Sequence, residues 1–95
     1  MRLGFVLATR DDGDRALCVR LARAAVAAGH EVRVFLMHDG VEGDLAALAE
    51  TGADVVACGT NVVARAIRLP PSVGEGSQLD HAQLVRECDR VVSFA

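Results

Sequence analysis

The sequence contains no lysine, no tryptophan and no tyrosine, and three phenylalanines are its only large aromatic residues. Because P-loop nucleotide binding, Schiff-base chemistry and phosphoacceptor receiver domains each depend on a lysine, these mechanisms are excluded. The shortage of aromatic residues argues against a surface that stacks nucleic-acid bases. The formal net charge of -3 also gives no excess of basic residues to bind a polyanion, so we expect no nucleic-acid partner.

Long apolar runs are also missing from the chain. No stretch approaches the roughly 18 apolar residues that a membrane-spanning helix requires. The short apolar start, residues 3–8, is followed at once by charged residues, which is unlike a secretory signal peptide. These features predict a cytoplasmic protein with no membrane partner.

What the chain does contain is a set of short apolar strands that alternate with helices. Its 95 residues, 52% of them hydrophobic, are enough for one small domain over residues 1–95. Strands are predicted over residues 3–8, 31–37, 54–57 and 90–94, and residues 73–76 are expected as either a weak strand or a turn. Helices are predicted over residues 14–28, 43–51, 60–66 and 78–88. This alternation favours an α/β fold in which a parallel sheet is sandwiched between helices.

The first predicted helix, residues 14–28, has an apolar stripe at helical spacing. The members of the stripe are leucines and alanines that we expect to face the core: Leu17, Leu21, Ala24, Ala25 and Ala28. Three arginines, Arg15, Arg20 and Arg23, lie mostly off this stripe. A solvated helix face is therefore their expected place.

Capping residues predict where several helices begin. Asp11 or Asp12 is placed to cap the first helix, and Thr60 is expected to cap the third. Ser77, followed three residues later by Asp80, resembles a capping box for the fourth helix.

Three cysteines, Cys18, Cys58 and Cys88, are widely spaced and form no C-x-x-C pair. This pattern fits neither a disulfide framework nor a zinc ribbon and suggests reduced thiols. Cys18 and Cys88 fall in predicted helices, where a buried small hydrophobic residue is the default interpretation. Cys58 alone follows a strand directly and precedes a helix.

Cys58 is therefore the candidate catalytic residue, with a buried strand-end cysteine as the alternative. Functional groups of parallel α/β sheets gather at the carboxyl ends of the strands. A thiol there meets the N–H groups and the positive dipole end of the next helix, which favours its thiolate. Gly59 allows another molecule to approach closely, and Thr60 and Asn61 offer hydroxyl, amide and backbone groups as tentative support.

His38, Asp39 and Arg65 are further tentative supporting residues. His38 and Asp39 end the second strand, and neighbouring strands lie about 5 Å apart, so His38 is placed to assist the Cys58 thiol. A metal site of Cys58, His38 and Asp39, or an incidental surface turn, are the alternatives. Arg65 either holds an anionic sulfur species or a partner's carboxylate, or is simply solvated. His81 is expected only as a helix-start residue.

Four segments occur in an order and spacing that resemble a known family. They are Ala28-Gly29-His30-Glu31-Val32, Asp39-Gly40-Val41, Val56-Ala57-Cys58 followed seven residues later by Arg65, and Cys88-Asp89-Arg90-Val91-Val92-Ser93-Phe94. With these segments the sequence resembles the DsrE/DsrF-like family, which includes sulfur-relay proteins of the TusD and YchN type. Family members often have a glycine after the matching arginine, where this chain has Ala66.

The resemblance implies a three-layer α/β/α fold with a five-stranded parallel sheet in the order 4-3-2-1-5. It also implies that Cys58 carries sulfur as a persulfide, that the partners are sulfur donor and acceptor proteins, and that the chain forms homotrimers, homohexamers or hetero-hexamers. No cofactor and no resident metal are needed for this chemistry. The first hypothesis is a sulfur carrier or sulfurtransferase, and the second is a non-catalytic oligomeric subunit or small-ligand-binding module of the same fold.

Overall fold

The computed structural model describes all residues from Met1 to Ala95. The strands are β1 (Arg2–Leu7), β2 (Glu31–Leu36), β3 (Asp54–Cys58), β4 (Gly74–Gly76) and β5 (Arg90–Phe94). The α-helices are α1 (Asp12–Ala27), α2 (Leu45–Ala49), α3 (Gly59–Ala64) and α4 (Gln78–Glu87), and a 3-10 turn covers His38–Val41. None of these helices combines the length and the apolar content needed to cross a bilayer.

The five strands form one sheet in which every neighbouring pair is parallel. The strand order is β4-β3-β2-β1-β5, which confirms both the predicted α/β fold and the predicted order. Because β2 and β3 are neighbours, the segments that follow their carboxyl ends meet at one edge of the sheet. The 3-10 turn that begins at His38 and the helix α3 that follows Cys58 both lie at that edge.

The two faces of the sheet are covered unequally. Successive side chains of a strand point to opposite faces, so Phe5 and Val6 of β1 belong to different packing clusters. The cluster of Phe5 is large and includes residues of α1, α2 and α3. The cluster of Val6 contains four buried residues, and Leu84 of α4 is the helical one among them. Three helices therefore cover one face and α4 alone covers the other.

The buried side of α1 differs from the predicted apolar stripe. Leu17 and Leu21 were expected in the core but are each 39% exposed, whereas Cys18 and Ala22 are fully buried. Of the predicted stripe, Ala25 is buried. The helix packs through its smaller side chains because these allow a close approach to the sheet, and the alanine-rich sequence offers such residues on more than one side.

Arg15 is the clearest correction to the sequence-based prediction for α1. It was expected on the solvated face, but only 8% of the residue is exposed. Its Nη2 atom donates hydrogen bonds to the backbone carbonyls of Gly40 and Glu42, in and just after the 3-10 turn. Burial lowers the pKa of the guanidinium. Arg15 therefore fastens this turn to α1.

Two capping predictions are confirmed and one is wrong. Asp11 caps α1, and Ser77 and Asp80 form the predicted capping box at the start of α4. Thr60 does not cap α3, because β3 runs into that helix without an intervening loop. Cys58 itself occupies the N-cap position, and Thr60 lies inside the first turn, exposed to solvent.

Candidate functional site

Cys58 ends β3 and immediately precedes α3, at the carboxyl edge of the sheet. Its side chain belongs to the smaller packing cluster, together with Val6, Phe35 and Leu84. Only 3% of the residue is exposed. The thiol thus lies on the sheet face that α4 covers, in apolar surroundings beneath the first turn of that helix.

One side chain hydrogen-bonds the sulfur of Cys58, and it comes from α4. Nε2 of Gln78 donates to Sγ across 3.7 Å. Gln78 is the first residue of α4 and is exposed, so its amide lies at the boundary between the buried thiol and solvent. No sequence signal pointed to Gln78, because it lies 20 residues from Cys58 and belongs to no recognisable motif.

The amide of Gln78 is itself held by a histidine. Nδ1 of His81 lies 3.0 Å from Oε1 of Gln78. The His81 ring stacks on Phe35, with ring centroids 5.4 Å apart and planes within 6° of each other. Sequence reasoning assigned His81 no part in the site. His81 is linked to Cys58 only because α4, which is distant from Cys58 in sequence, packs across the sheet.

The structure brings together the predicted supporting residues of the second and third strand ends. The Oδ1 atom of Asn61 accepts a hydrogen bond from the backbone N–H of His38 at 2.8 Å. Nη2 of Arg65 lies 3.0 Å from Oδ1 of Asp39. These two contacts join the 3-10 turn to α3. The imidazole of His38 is exposed and makes no hydrogen bond to Cys58, so the four residues form a rim beside the thiol.

The Arg65 guanidinium is occupied by carboxylates of its own chain. Besides Asp39, it contacts Glu42, with Nε and Oε2 separated by 3.6 Å. Glu42 also lies 3.7 Å from Arg10. Arg65 is therefore part of a charged network at the edge of the sheet, and no hydrogen bond joins it to the Cys58 sulfur.

Gly59 provides room where α3 begins beside β4. A Cβ atom at this position would lie 3.1 Å from the carbonyl oxygen of Gly76 and 3.2 Å from the side chain of Glu75. Both distances are shorter than nearly all real Cβ contacts. A side chain at position 59 would therefore push β4 away from the start of α3. The Glu75 side chain thus lies against the start of α3.

Among known proteins, the chain resembles solved structures. No family model matches the sequence, and no curated protein matches it. Among solved structures, the crystal structure of YchN from E. coli matches over 99% of this chain and 100% of the YchN chain, with 27% sequence identity and a TM-score of 0.75. The chain fits a DsrE-like family. Its sheet order and its flanking helices agree with YchN over the full length.

The other two thiols of this DsrE-like chain are held in their neutral form. Cys18 is completely buried, and burial raises its pKa to about 11. Burial also raises the pKa of Cys88, which is partly buried at the end of α4. A neutral thiol is a poor nucleophile. Neither cysteine is therefore suited to thiol chemistry near neutral pH.

The alternative of a metal site finds no matching cluster in the structure. No three or more His, Cys, Asp or Glu side chains lie together in an arrangement that could hold a metal ion. Cys58 has an amide as its polar neighbour, and His38 bonds to Asn61 through its backbone. The geometry of the candidate site thus centres on one thiol, one amide and one imidazole.

Proposed function

We propose that this protein is a sulfur carrier or sulfurtransferase that holds sulfane sulfur as a persulfide on Cys58. The observation that carries the proposal is the contact between Cys58 and Gln78, because it supplies an N–H donor to the sulfur at the carboxyl end of β3. A donor at this place stabilises an anionic sulfur. The full-length similarity to YchN, a member of a sulfur-relay family, supports the same reading.

The proposed reaction needs only thiols and a persulfide. The Cys58 thiolate attacks the outer sulfur of a donor R–S–SH, forming a new S–S bond while the donor's S–S bond breaks. The products are Cys58–S–SH and the donor thiolate, so one neutral sulfur atom moves without net oxidation or reduction. An acceptor thiolate then attacks the outer sulfur on Cys58 and regenerates the Cys58 thiolate.

Access to Cys58 is part of the proposal, because only 3% of the residue is exposed. Gln78 is an exposed side chain at the start of a helix, and a rotation about its own bonds moves the amide away from the sulfur. The amide moves aside while the sulfur donor reacts and returns to the sulfur once the donor has left, so it stabilises the thiolate before the reaction and the persulfide after it. Donor access therefore requires no change in the sheet.

The rim residues have a structural part in this proposal and do not touch the thiol. Asn61 and Arg65 hold the turn of His38 and Asp39 against α3. Gly59 lets α3 begin directly against β4, and the exposed Thr60 offers its hydroxyl to a partner at the start of α3.

We also propose partners, an assembly and a cellular location for this protein. Sulfur donor and acceptor proteins are the partners that a persulfide carrier requires, and a homotrimer or homohexamer is the proposed assembly. A persulfide carrier works with reduced thiols, which places the protein in the cytoplasm. The sulfur atom is the cargo, and the proposal includes no cofactor.

Mass spectrometry after incubation with a small-molecule persulfide donor tests this function. We expect the wild-type protein to gain about 32 Da, the mass of one sulfur atom, and to lose it on reduction. Cys58→Ser should abolish the gain, whereas Cys18→Ser and Cys88→Ser should retain it. A gain that persists in Cys58→Ser and disappears in Cys18→Ser would overturn the assignment.

The burial of Cys58 favours a second candidate function, a non-catalytic oligomeric subunit or small-ligand-binding module with the same fold. This candidate predicts that Cys58 reacts with iodoacetamide only after the chain unfolds. The first candidate predicts alkylation of Cys58 in the folded protein, ahead of Cys18 and Cys88. The order of labelling, read from peptide mass spectra under native conditions, distinguishes the two.

A further inference from the structure

We propose that Gln78 and His81 form a pair that keeps an N–H donor on the Cys58 sulfur. Gln78 touches the reacting atom and is the catalytic residue of the pair, whereas His81 acts through it and is a positioning residue. The inference rests on the proposed function, since it assigns the groups that stabilise the anionic sulfur of Cys58. The chain of contacts runs from Phe35 through His81 and Gln78 to the sulfur.

The orientation of the Gln78 amide determines what the sulfur meets. An amide oxygen only accepts hydrogen bonds, so His81 must donate from Nδ1 to Oε1 of Gln78 across their 3.0 Å contact. This contact leaves the Nε2 group facing Cys58. The reversed amide would direct its oxygen at the sulfur, which suits a neutral S–H group but repels a thiolate or a persulfide anion. The tautomer of His81 that carries its proton on Nδ1 therefore selects the orientation that favours the anion.

Stacking fixes the imidazole that makes this selection. Phe35 is only 1% exposed and belongs to the same packing cluster as Cys58. The nearly parallel rings of His81 and Phe35 hold the imidazole plane, and with it the direction of the Nδ1–H bond. A partly buried side chain on the sheet-facing side of α4 is thus packed against the strand beside the thiol.

The charged groups around the pair come from three elements. Asp80 of α4 accepts a hydrogen bond from the backbone of Ser77, and Glu75 of β4 lies against Gly59. On β2, Arg33 is paired with Glu87 at 2.6 Å. Glu75 pairs in register with Ala57, which faces the other side of the sheet, so Asp80 is the carboxylate on the Cys58 side of the sheet. A carboxylate there opposes the sulfur anion, which increases the need for the Gln78 donor.

Three variants separate the parts of the pair. Gln78→Met keeps a side chain of similar size over the thiol but removes the amide. His81→Phe keeps an aromatic ring to stack on Phe35 but removes the Nδ1 donor. His81→Asn loses the ring but places an amide N–H close to the former Nδ1 position. Gln83→Met, a change of another exposed glutamine of α4, is the matched control.

The measurements are the rate of Cys58 alkylation by iodoacetamide across a range of pH, and the rate of sulfur loading from a small-molecule persulfide. We expect Gln78→Met and His81→Phe to slow both reactions about tenfold at neutral pH, the effect of losing one hydrogen bond to a charged group. Both variants should also shift the alkylation profile to higher pH. His81→Asn should recover most of the rate, and Gln83→Met should match the wild type.

The outcomes distinguish this inference from the proposed function. If His81→Phe alkylates with the wild-type pH profile while the wild type still loads sulfur, the pair is overturned and the function of Cys58 stands. If the wild type never loads sulfur but Gln78→Met and His81→Phe shift the alkylation profile, the pair stands and the sulfur-carrier function fails. A failure of His81→Asn to recover the rate, with the thermal unfolding temperature unchanged, also contradicts the positioning role.

Discussion

The guanidinium of Arg65 lies 3.0 Å from the carboxylate of Asp39 and thereby joins α3 to the 3-10 turn after β2. Arg65 is the residue seven positions after Cys58, where sequence reasoning left open a direct role with the sulfur. Its contacts place it instead in an ion-pair network with Asp39 and Glu42. The same corner is closed by the bond between Asn61 and the backbone of His38.

We expect the pair of Arg65 and Asp39 to contribute modestly to stability and not to sulfur loading. The Arg65 side chain is 29% exposed, so the loss in Arg65→Gln should be about 0.5–1 kcal/mol and should shrink at high salt. Urea denaturation of Arg65→Gln, Asp39→Asn and the double variant measures it. The double variant should lose less than the sum of the two single losses. A large drop in the persulfide loading of Cys58 in Arg65→Gln would contradict the purely structural role.

Ala66→Gly is expected to stabilise the protein. Ala66 has φ of +52°, a left-handed conformation that a side chain disfavours, and it follows the last turn of α3. The backbone bonds from Ile67 to Val62 and from Ala66 to Val63 form the helix-ending pattern that normally places glycine here. The free energy gained by relieving this strain is larger than the cost of the extra conformational entropy that glycine gives the unfolded chain. The free energy of unfolding should therefore rise by about 0.5–1 kcal/mol.

The control for that substitution is Ala64→Gly, two residues earlier inside α3. Because its backbone is helical, glycine should destabilise the protein there by about 1 kcal/mol. Thermal or urea unfolding of both variants gives the comparison. Equal effects of glycine at positions 64 and 66 would show that the end of α3 carries no strain.

Because the Cys18 thiol is buried, we expect the protein to lose stability in alkaline solution. Burial raises its pKa from 9.0 to about 11, so between these values the unfolded chain releases a proton that the folded chain keeps. The stability from the neutral thiol is complete below pH 9.0, falls as the pH rises, and is gone above about pH 11. The loss should be on the order of 2 kcal/mol.

The measurement is urea denaturation at several pH values across this window, for the wild type and for Cys18→Ala. The variant should be less stable at neutral pH, because the core loses a buried sulfur, but its stability should fall less steeply above pH 9. Cys88 remains in both proteins, so its own ionisation cancels in the comparison. Parallel slopes in the two proteins would mean that Cys18 is not the group that titrates.

Most of the sheet could be predicted from the sequence because β1, β2, β3 and β5 are short runs rich in apolar residues, next to capped or glycine-terminated helices. The exception is β4, Gly74–Gly76, which has no apolar side chain. The order of the strands came from the family resemblance, and the structure confirms it. The face of α1 could not be predicted, because leucine, alanine and cysteine recur on adjacent sides of that helix. The burial of Arg15 depends on two carbonyl groups that lie 25 and 27 residues further along the chain.

The central residue of the candidate site could be predicted from the sequence, but the residues that contact it could not. Cys58 follows directly from its place between a strand and a helix. Gln78 and His81 reach it only because α4 packs on the face of the sheet that α1, α2 and α3 leave uncovered. No local sequence pattern indicates this arrangement. The histidine singled out by sequence, His38, lies next to the thiol's strand but bonds to Asn61 through its backbone.

The pairing of β1 with β5 has a consequence for how the molecule folds. Leu3 lies opposite Arg90, so nearly the whole chain separates two strands that are neighbours. The strands β1, β2 and β3 pair with strands that are close to them in sequence. In contrast, β5 pairs with β1 only after the long segment between them has closed into a loop. Closing such a loop costs entropy before any contact forms, which slows this step. We therefore expect β5 to join the sheet late in folding and its amide protons to exchange with solvent ahead of those in β1 and β2.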